Sequence, residues 1–291
     1  MTISDWIDST RPKTLAAAFV PVGVGAALAY NHSSFDAATT AVVLVCALLI
    51  QIATNFANDY FDFRHGADTD ERIGFTRASA TGIIAPETML RAAIITFSVA
   101  FLLGLYLVWH GGWIILAIGV FSIICGVAYT GGPYPLAYNG LGDVFVFLFF
   151  GLVAVTGTYY VNTLSWSGEA FWASLAVGAL CTNILVVNNL RDSETDVTAN
   201  KRTLGVIFGD NALRWEYTSM LTLAFAIPPH FYFQENYSAL IFLPLLTLPL
   251  ALYLLHTIWK QEDKTRHNNT LELTARFMAL YGVLFVLGII L

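Results

Sequence analysis

The chain has 291 residues, of which 57% are apolar and only 12% charged, far from the ~25% charged residues of a soluble domain. That balance excludes a water-soluble globular protein, and with no basic patch or stripe nothing points to nucleic-acid binding; the chain reads as all-α and polytopic in a membrane. The net charge of −6 carries little, because the basic residues are segregated along the chain and several acidic ones are concentrated in two clusters.

Apolar runs near the ~20 residues that span a bilayer fall at about 14–30, 37–57, 89–109, 112–130, 141–161, 170–190, 215–233, 238–259 and 271–291. They predict nine transmembrane helices in one domain, 1–291. The first run contains Pro21, and Pro228-Pro229 ends the seventh early or kinks it. The polar first residues argue against a cleavable signal peptide. With nine spans, all 14 Lys and Arg residues fall on the side of the N-terminus, which predicts a cytoplasmic N-terminus and a C-terminus outside. Cys46, Cys125 and Cys181 lie inside spans and read as small buried residues without disulfides.

Two polar stretches repeat each other. Asn58-Asp59-Tyr60-Phe61-Asp62 ends the second run and Asn188-Asn189-Leu190-Arg191-Asp192 ends the sixth, an offset of 130, and each gains a further carboxylate, Asp68 and Asp196. Four spans separate them, which suggests two four-helix pseudo-repeats with a ninth helix added. Residues four apart share a helix face, so Asn58 with Asp62, and Asn188 with Asp192 and Asp196, form stripes. Gly66 is placed to end the first helix and turn Asp68 back toward Asp62, whereas Asp59 points off the face. Connections at about 64–88 and 191–213 are long and charged, and are candidates for a cap over the site.

Carboxylates beside a bilayer are costly unless they bind something, and paired hard oxygen ligands suit Mg²⁺ carrying phosphates. Asn58, Asp62, Asp68, Asp192 and Asp196 are therefore expected as metal ligands, with Arg77, Arg191, Lys201 and Arg202 against phosphate. An apolar bundle above such a site suits a diphosphate with an apolar tail. A CDP-alcohol phosphotransferase would carry its aspartates in one continuous motif, and a transporter would place broken helices at the midplane; the chain shows neither pattern. His32, His110 and His230 read as residues of the outer interface, and His65 as a bystander.

The two aspartate motifs, each after the second helix of a four-helix unit, resemble those of the UbiA superfamily of intramembrane prenyltransferases over nearly the whole chain. Arg11-Pro12-Lys13-Thr14-Leu15, Asn58 to Asp68, the stretch Tyr129 to Asp143 and Asn188 to Asp196 followed by Lys201-Arg202-Thr203-Leu204 are similar to the branch that prenylates dihydroxynaphthoate in menaquinone synthesis. Gly66 stands where the hydroxybenzoate branch has Asp. The resemblance implies an Mg²⁺-dependent enzyme of the inner membrane that takes polyprenyl diphosphate and dihydroxynaphthoate at the cytoplasmic face, with Asp62, Asp68, Asp192 and Asp196 catalytic. Tyr60, Tyr129, Tyr134 and Asp143 are candidates for orienting the acceptor or stabilising an allyl cation.

Overall fold

The computed structural model describes residues 2–67, 73–74 and 77–291, and among them every regular element is helical, with no strand. A short helix α1 (Ile3–Ser9) is closed by a capping box between Thr2 and Asp5. Trp6 sits edge-on to Phe56, and the Asn55 amide donates to the Thr10 carbonyl at 2.9 Å, so α1 lies against the end of a later helix. A turn over Pro12–Thr14 leads into α2 (Ala16–Asn31), built almost entirely of small buried residues. Asp36 caps α3 (Ala37–Arg64). Then follow α4 (Pro86–Ala128), α5 (Gly142–Val146), a π-helical stretch (Phe147–Val153) and α6 (Ala154–Thr163), the last three forming one rod. The chain continues through α7 (Gly168–Thr198), α8 (Leu204–Phe208), α9 (Asp210–Gln234), a 3₁₀ stretch (Ala239–Thr247) running into α10 (Leu248–Lys260), and α11 (His267–Ile290).

The 43 residues of α4 do not form one straight rod. Gly112 has φ +71° and ψ −161°, a conformation that only glycine adopts without strain. The chain reverses there: Phe97 lies against Gly126, which an unbroken helix would hold roughly 40 Å away. The two predicted runs 89–109 and 112–130 are thus the arms of a hairpin. Six helices among the described residues are long and apolar enough to cross a membrane, counting α4 once, and α2 is a shorter apolar helix of 16 residues.

Elsewhere the helices outlast the apolar runs that signalled them. α3 continues to Arg64, where Gly66 at φ +69° closes it as expected, and α7 continues to Thr198. The expected connection 191–213 is therefore mostly helical, and only a short turn and α8 separate α7 from α9. Hydropathy marks where a helix leaves the apolar layer, whereas its end is set by backbone hydrogen bonds and caps.

α7 is the central helix, its apolar window 78% buried, packed among α2, the α5–α6 rod, α9 and α11. A large core joins α2, α6, α7, α9, α10 and α11, while α3 and the α4 hairpin share a smaller one. Between these two bodies lies a cavity.

Candidate active site

The cavity, about 380 Å³, is bounded by α2, α3, the α4 hairpin, the α5–α6 rod and α7. One end is polar, where Arg11, Asn58, Asp62, Arg77, Asn188 and Lys201 meet; the remainder is lined mostly by aliphatic and aromatic side chains from Val43 and Ile50 to Phe149 and Val161. Cys46, Cys125 and Cys181 are all free and line it.

On α3, Asn58 and Asp62 point into the cavity as their four-residue spacing requires. Asn58 Oδ1 accepts from the Thr130 hydroxyl at 2.8 Å. Asp62, 2% exposed, takes the Arg77 guanidinium on Oδ2 at 2.5 Å and the Tyr138 hydroxyl on Oδ1 at 2.8 Å. Asp59 faces away, as expected, but to a structural end: it accepts from the backbone N–H groups of Ala78 and Ser79 at 3.2 and 3.0 Å. Those bonds fix the turn that presents Arg77 to Asp62. Asp68 lies outside the described residues.

The second cluster lies on the last three turns of α7. Arg191, 1% exposed, grips the neighbouring Asp192 with two parallel bonds, Nε to Oδ1 at 2.7 Å and Nη2 to Oδ2 at 2.6 Å. Its Nη2 also reaches Asn188 Oδ1 at 2.8 Å and its Nη1 reaches Asn268 Oδ1 at 2.9 Å. Arg191, expected against phosphate, is thus turned into the protein. Lys201 returns to Asp196 at 3.8 Å, and the Thr203 hydroxyl donates to the same carboxylate at 3.4 Å. Three carboxylates expected as metal ligands each hold a cation: Asp62 with Arg77, Asp192 with Arg191, Asp196 with Lys201. Among the described residues no three His, Cys, Asp or Glu side chains are gathered as a metal cluster.

The two helices are joined at the polar end by a residue from within the Tyr129–Asp143 stretch. Tyr138, in the turn after the hairpin, donates to Asp62 while its ring lies 5.6 Å from the Lys201 ammonium and against the His65 ring. Arg11, held at φ +55° ahead of α2, is a second residue of the polar end without an expected role, and brings a further cation to the cavity lining. Its place in the Arg11–Leu15 motif is the sequence signal for it; for Tyr138, 76 residues from Asp62, no spacing rule predicts the contact.

Of the other expected residues, Tyr129 and Asp143 line the cavity, and Asn189 donates to both Asp143 oxygens at 3.4 Å. Three do not reach it. Tyr60 packs into the apolar cluster between α3 and the hairpin, Tyr134 is 60% exposed, and Arg202 is exposed, tied to the site only through its backbone N–H to the Tyr138 carbonyl. Helical phase explains Tyr60: two residues from Asp62 on a helix is roughly the opposite face.

A family model described as the UbiA prenyltransferase family matches residues 18–281. The chain is 36% identical over 294 aligned residues to the 1,4-dihydroxy-2-naphthoate octaprenyltransferase of Escherichia coli (strain K12), covering 98% of this chain and 95% of that one. It is 38% identical to the protein of the same description from Mycobacterium tuberculosis (strain ATCC 25618 / H37Rv), over 77% of this chain and 76% of that one. Among solved structures, a UbiA homologue from Archaeoglobus fulgidus bound to GPP and Mg²⁺ superposes with a TM-score of 0.67 at 14% identity, covering 97% of this chain and 99% of that one. The apo UbiA homologue from Aeropyrum pernix K1 gives a TM-score of 0.70 at 12% identity, over 92% and 97%. These last two likenesses concern the fold.

Proposed function

The chain belongs to the UbiA prenyltransferase family, and on that premise we propose that it transfers a polyprenyl group from polyprenyl diphosphate to 1,4-dihydroxy-2-naphthoate, giving demethylmenaquinol, diphosphate and CO₂. The observation that carries the reading is the pairing of a charged mouth, lined by Arg11, Asp62, Arg77 and Lys201, with a largely apolar cavity beneath it; Asp192 and Asp196 do not line the cavity themselves and join its mouth through Arg191 with Asn188 and through Lys201. A diphosphate fits the first and an isoprenoid chain the second.

The donor set suits a hard divalent cation: Asn58, Asp62, Asp192 and Asp196 offer oxygen ligands at four-residue spacing on two helices, and Asp68 is assigned with them from the sequence. When bound, Mg²⁺ would neutralise the charge that develops on the departing diphosphate. The cations now resting on these carboxylates are within reach of the same mouth, so Arg77 and Lys201 would exchange a carboxylate for a phosphate oxygen, and Arg11 would face it from α2. Arg191 stays inside as the residue that orients Asp192.

Loss of the diphosphate breaks the allylic C–O bond and leaves a cation that water would quench; the aliphatic wall excludes water from it. Tyr129 offers a ring face and a hydroxyl in the same cavity. Asp143, which accepts from the Asn189 amide, would accept a hydrogen bond from an acceptor hydroxyl. The naphthoate ring attacks the allylic carbon, forming one C–C bond, and the bond to its carboxyl carbon breaks with release of CO₂, which restores the aromatic ring.

The nine-crossing topology belongs to this reading. Adding α2, α9 and the second arm of the α4 hairpin to the six long apolar helices gives nine. The segregated basic residues favour the mouth on the cytoplasmic face of the inner membrane, and exposed Trp109, Trp113 and Trp166 suit the opposite interface.

Membranes containing the protein, given Mg²⁺, polyprenyl diphosphate and carboxyl-labelled naphthoate, should release label as gas and form a prenylated quinol. A product that keeps the carboxyl label, or efficient turnover of hydroxybenzoate, would overturn the acceptor while leaving prenyl transfer in place.

A further inference from the structure

Arg191 is a guanidinium at 1% exposure, and such a charge is tolerated only when its donors are met. Asp192 and Asn188, on its own helix, meet part of that need; Asn268, 77 residues away, meets another. Asn268 uses both ends of its amide. Oδ1 accepts from Arg191 at 2.9 Å, and Nδ2 donates at 3.0 Å to the backbone carbonyl of Ile73. Ile73 precedes by four residues the Arg77 that holds Asp62. One amide therefore links the second carboxylate cluster to the connection that follows the first.

The link is anchored from a second direction. Lys264, just ahead of α11, donates to the Leu190 carbonyl at 2.9 Å and the Ser193 hydroxyl at 3.0 Å, and pairs with Asp210. Leu190 and Ser193 flank Arg191 and Asp192 on α7. The start of α11 is thus pinned beside the residues it serves, so the Asn268 amide is held in register with Arg191 and cannot drift with a loose helix end.

From this geometry we infer that Asn268 is a positioning residue that couples the two clusters, setting the separation at which carboxylates and cations of both halves grasp one Mg²⁺·diphosphate. This rests on the prenyltransferase reading above. It also supplies a reason for the ninth helix: α3 and α7 come from the two four-helix units, and α11 closes the mouth across them. An asparagine is suited to the task because it presents an acceptor to the arginine and a donor to a carbonyl in one plane. Aspartate keeps the first and loses the second.

The test is calorimetric binding of the Mg²⁺ complex of a non-reactive geranyl thiolodiphosphate to the purified, monodisperse protein, with turnover measured alongside. Asn268→Asp should bind about tenfold more weakly, the size of one lost hydrogen bond to an ordered carbonyl, and should need more Mg²⁺ for half-maximal turnover while kcat at saturation changes little. Asn268→Leu, which also strips an acceptor from Arg191, should bind more weakly still. Asn269→Asp places the same charge one residue on, at an exposed site, and should bind like the wild type. Wild-type affinity in Asn268→Asp, or equal loss in Asn268→Asp and Asn269→Asp, would overturn the coupling role and leave the prenyltransferase reading standing. Failure of the wild-type protein to bind the complex would overturn both.

Discussion

Removing Arg77 should cost stability in the metal-free protein and less once Mg²⁺ and a prenyl diphosphate analogue are bound. The Arg77 and Asp62 side chains are 7% and 3% exposed and meet at 2.5 Å. Deleting one member of such a pair leaves the other charge desolvated, at a cost of about 3–5 kcal/mol, whereas replacing both is close to neutral. Arg77→Met and Asp62→Asn should therefore each lower the melting temperature of the metal-free protein by roughly 6–10 °C, at about 2 °C per kcal/mol for a chain of this size. The double variant should melt within about 3 °C of the wild type. The four proteins form a cycle whose coupling energy isolates the pair. In saturating Mg²⁺ and thiolodiphosphate, Arg77→Met should recover part of its loss relative to Asp62→Asn, because Asp62 then has the metal while Arg77 has moved to phosphate. The assay is thermal unfolding in one detergent, with and without ligand. A coupling below about 1 kcal/mol in the metal-free protein would refute the ion pair as a stabilising contact, and a coupling unchanged by ligand would refute the exchange of partners.

Turnover should require a divalent cation: chelation should abolish it and Mg²⁺ restore it, and Asp62→Asn, Asp192→Asn and Asp196→Asn should each lose on the order of 100-fold or more in kcat while eluting as folded protein. Near-normal turnover in all three would remove the metal assignment. Tyr138→Phe keeps the ring beside Lys201 and deletes the 2.8 Å bond to Asp62, so it should weaken binding of the Mg²⁺·thiolodiphosphate complex by about tenfold in the same calorimetric experiment. Gly151→Val should destabilise by about 1–3 kcal/mol, seen as a lower melting temperature, because a Cβ at that site would stand 2.6 Å from Gly178 Cα and 2.7 Å from the Ser174 carbonyl oxygen. Single cysteines replacing exposed Thr198 and Ser165 should be labelled from opposite sides of sealed vesicles, the first from the cytoplasm.

Membrane helices announce themselves in sequence because the bilayer demands long apolar runs, and the chain obeys: the runs and the Asn58–Asp62 and Asn188–Asp192–Asp196 stripes were legible from spacing alone, since helical phase is a local property. So was the turn at Gly66. What each polar group touches was not local. Whether Arg191 faced a phosphate or the protein depended on Asn268, which belongs to another helix, and Asp62 met a tyrosine from a turn beyond the hairpin. Helix ends depart from the apolar runs for a related reason: hydropathy falls where the chain leaves lipid, yet α7 runs on to Thr198 because its backbone bonds and buried inner face persist beyond the apolar layer. Local spacing along the chain is enough to say which residues share a helix face and which end of the bundle is charged. Only the packing of α3, α7 and α11 against one another decided which of those charges meet, because a buried charge takes its partner from whatever the tertiary fold brings within about 3 Å.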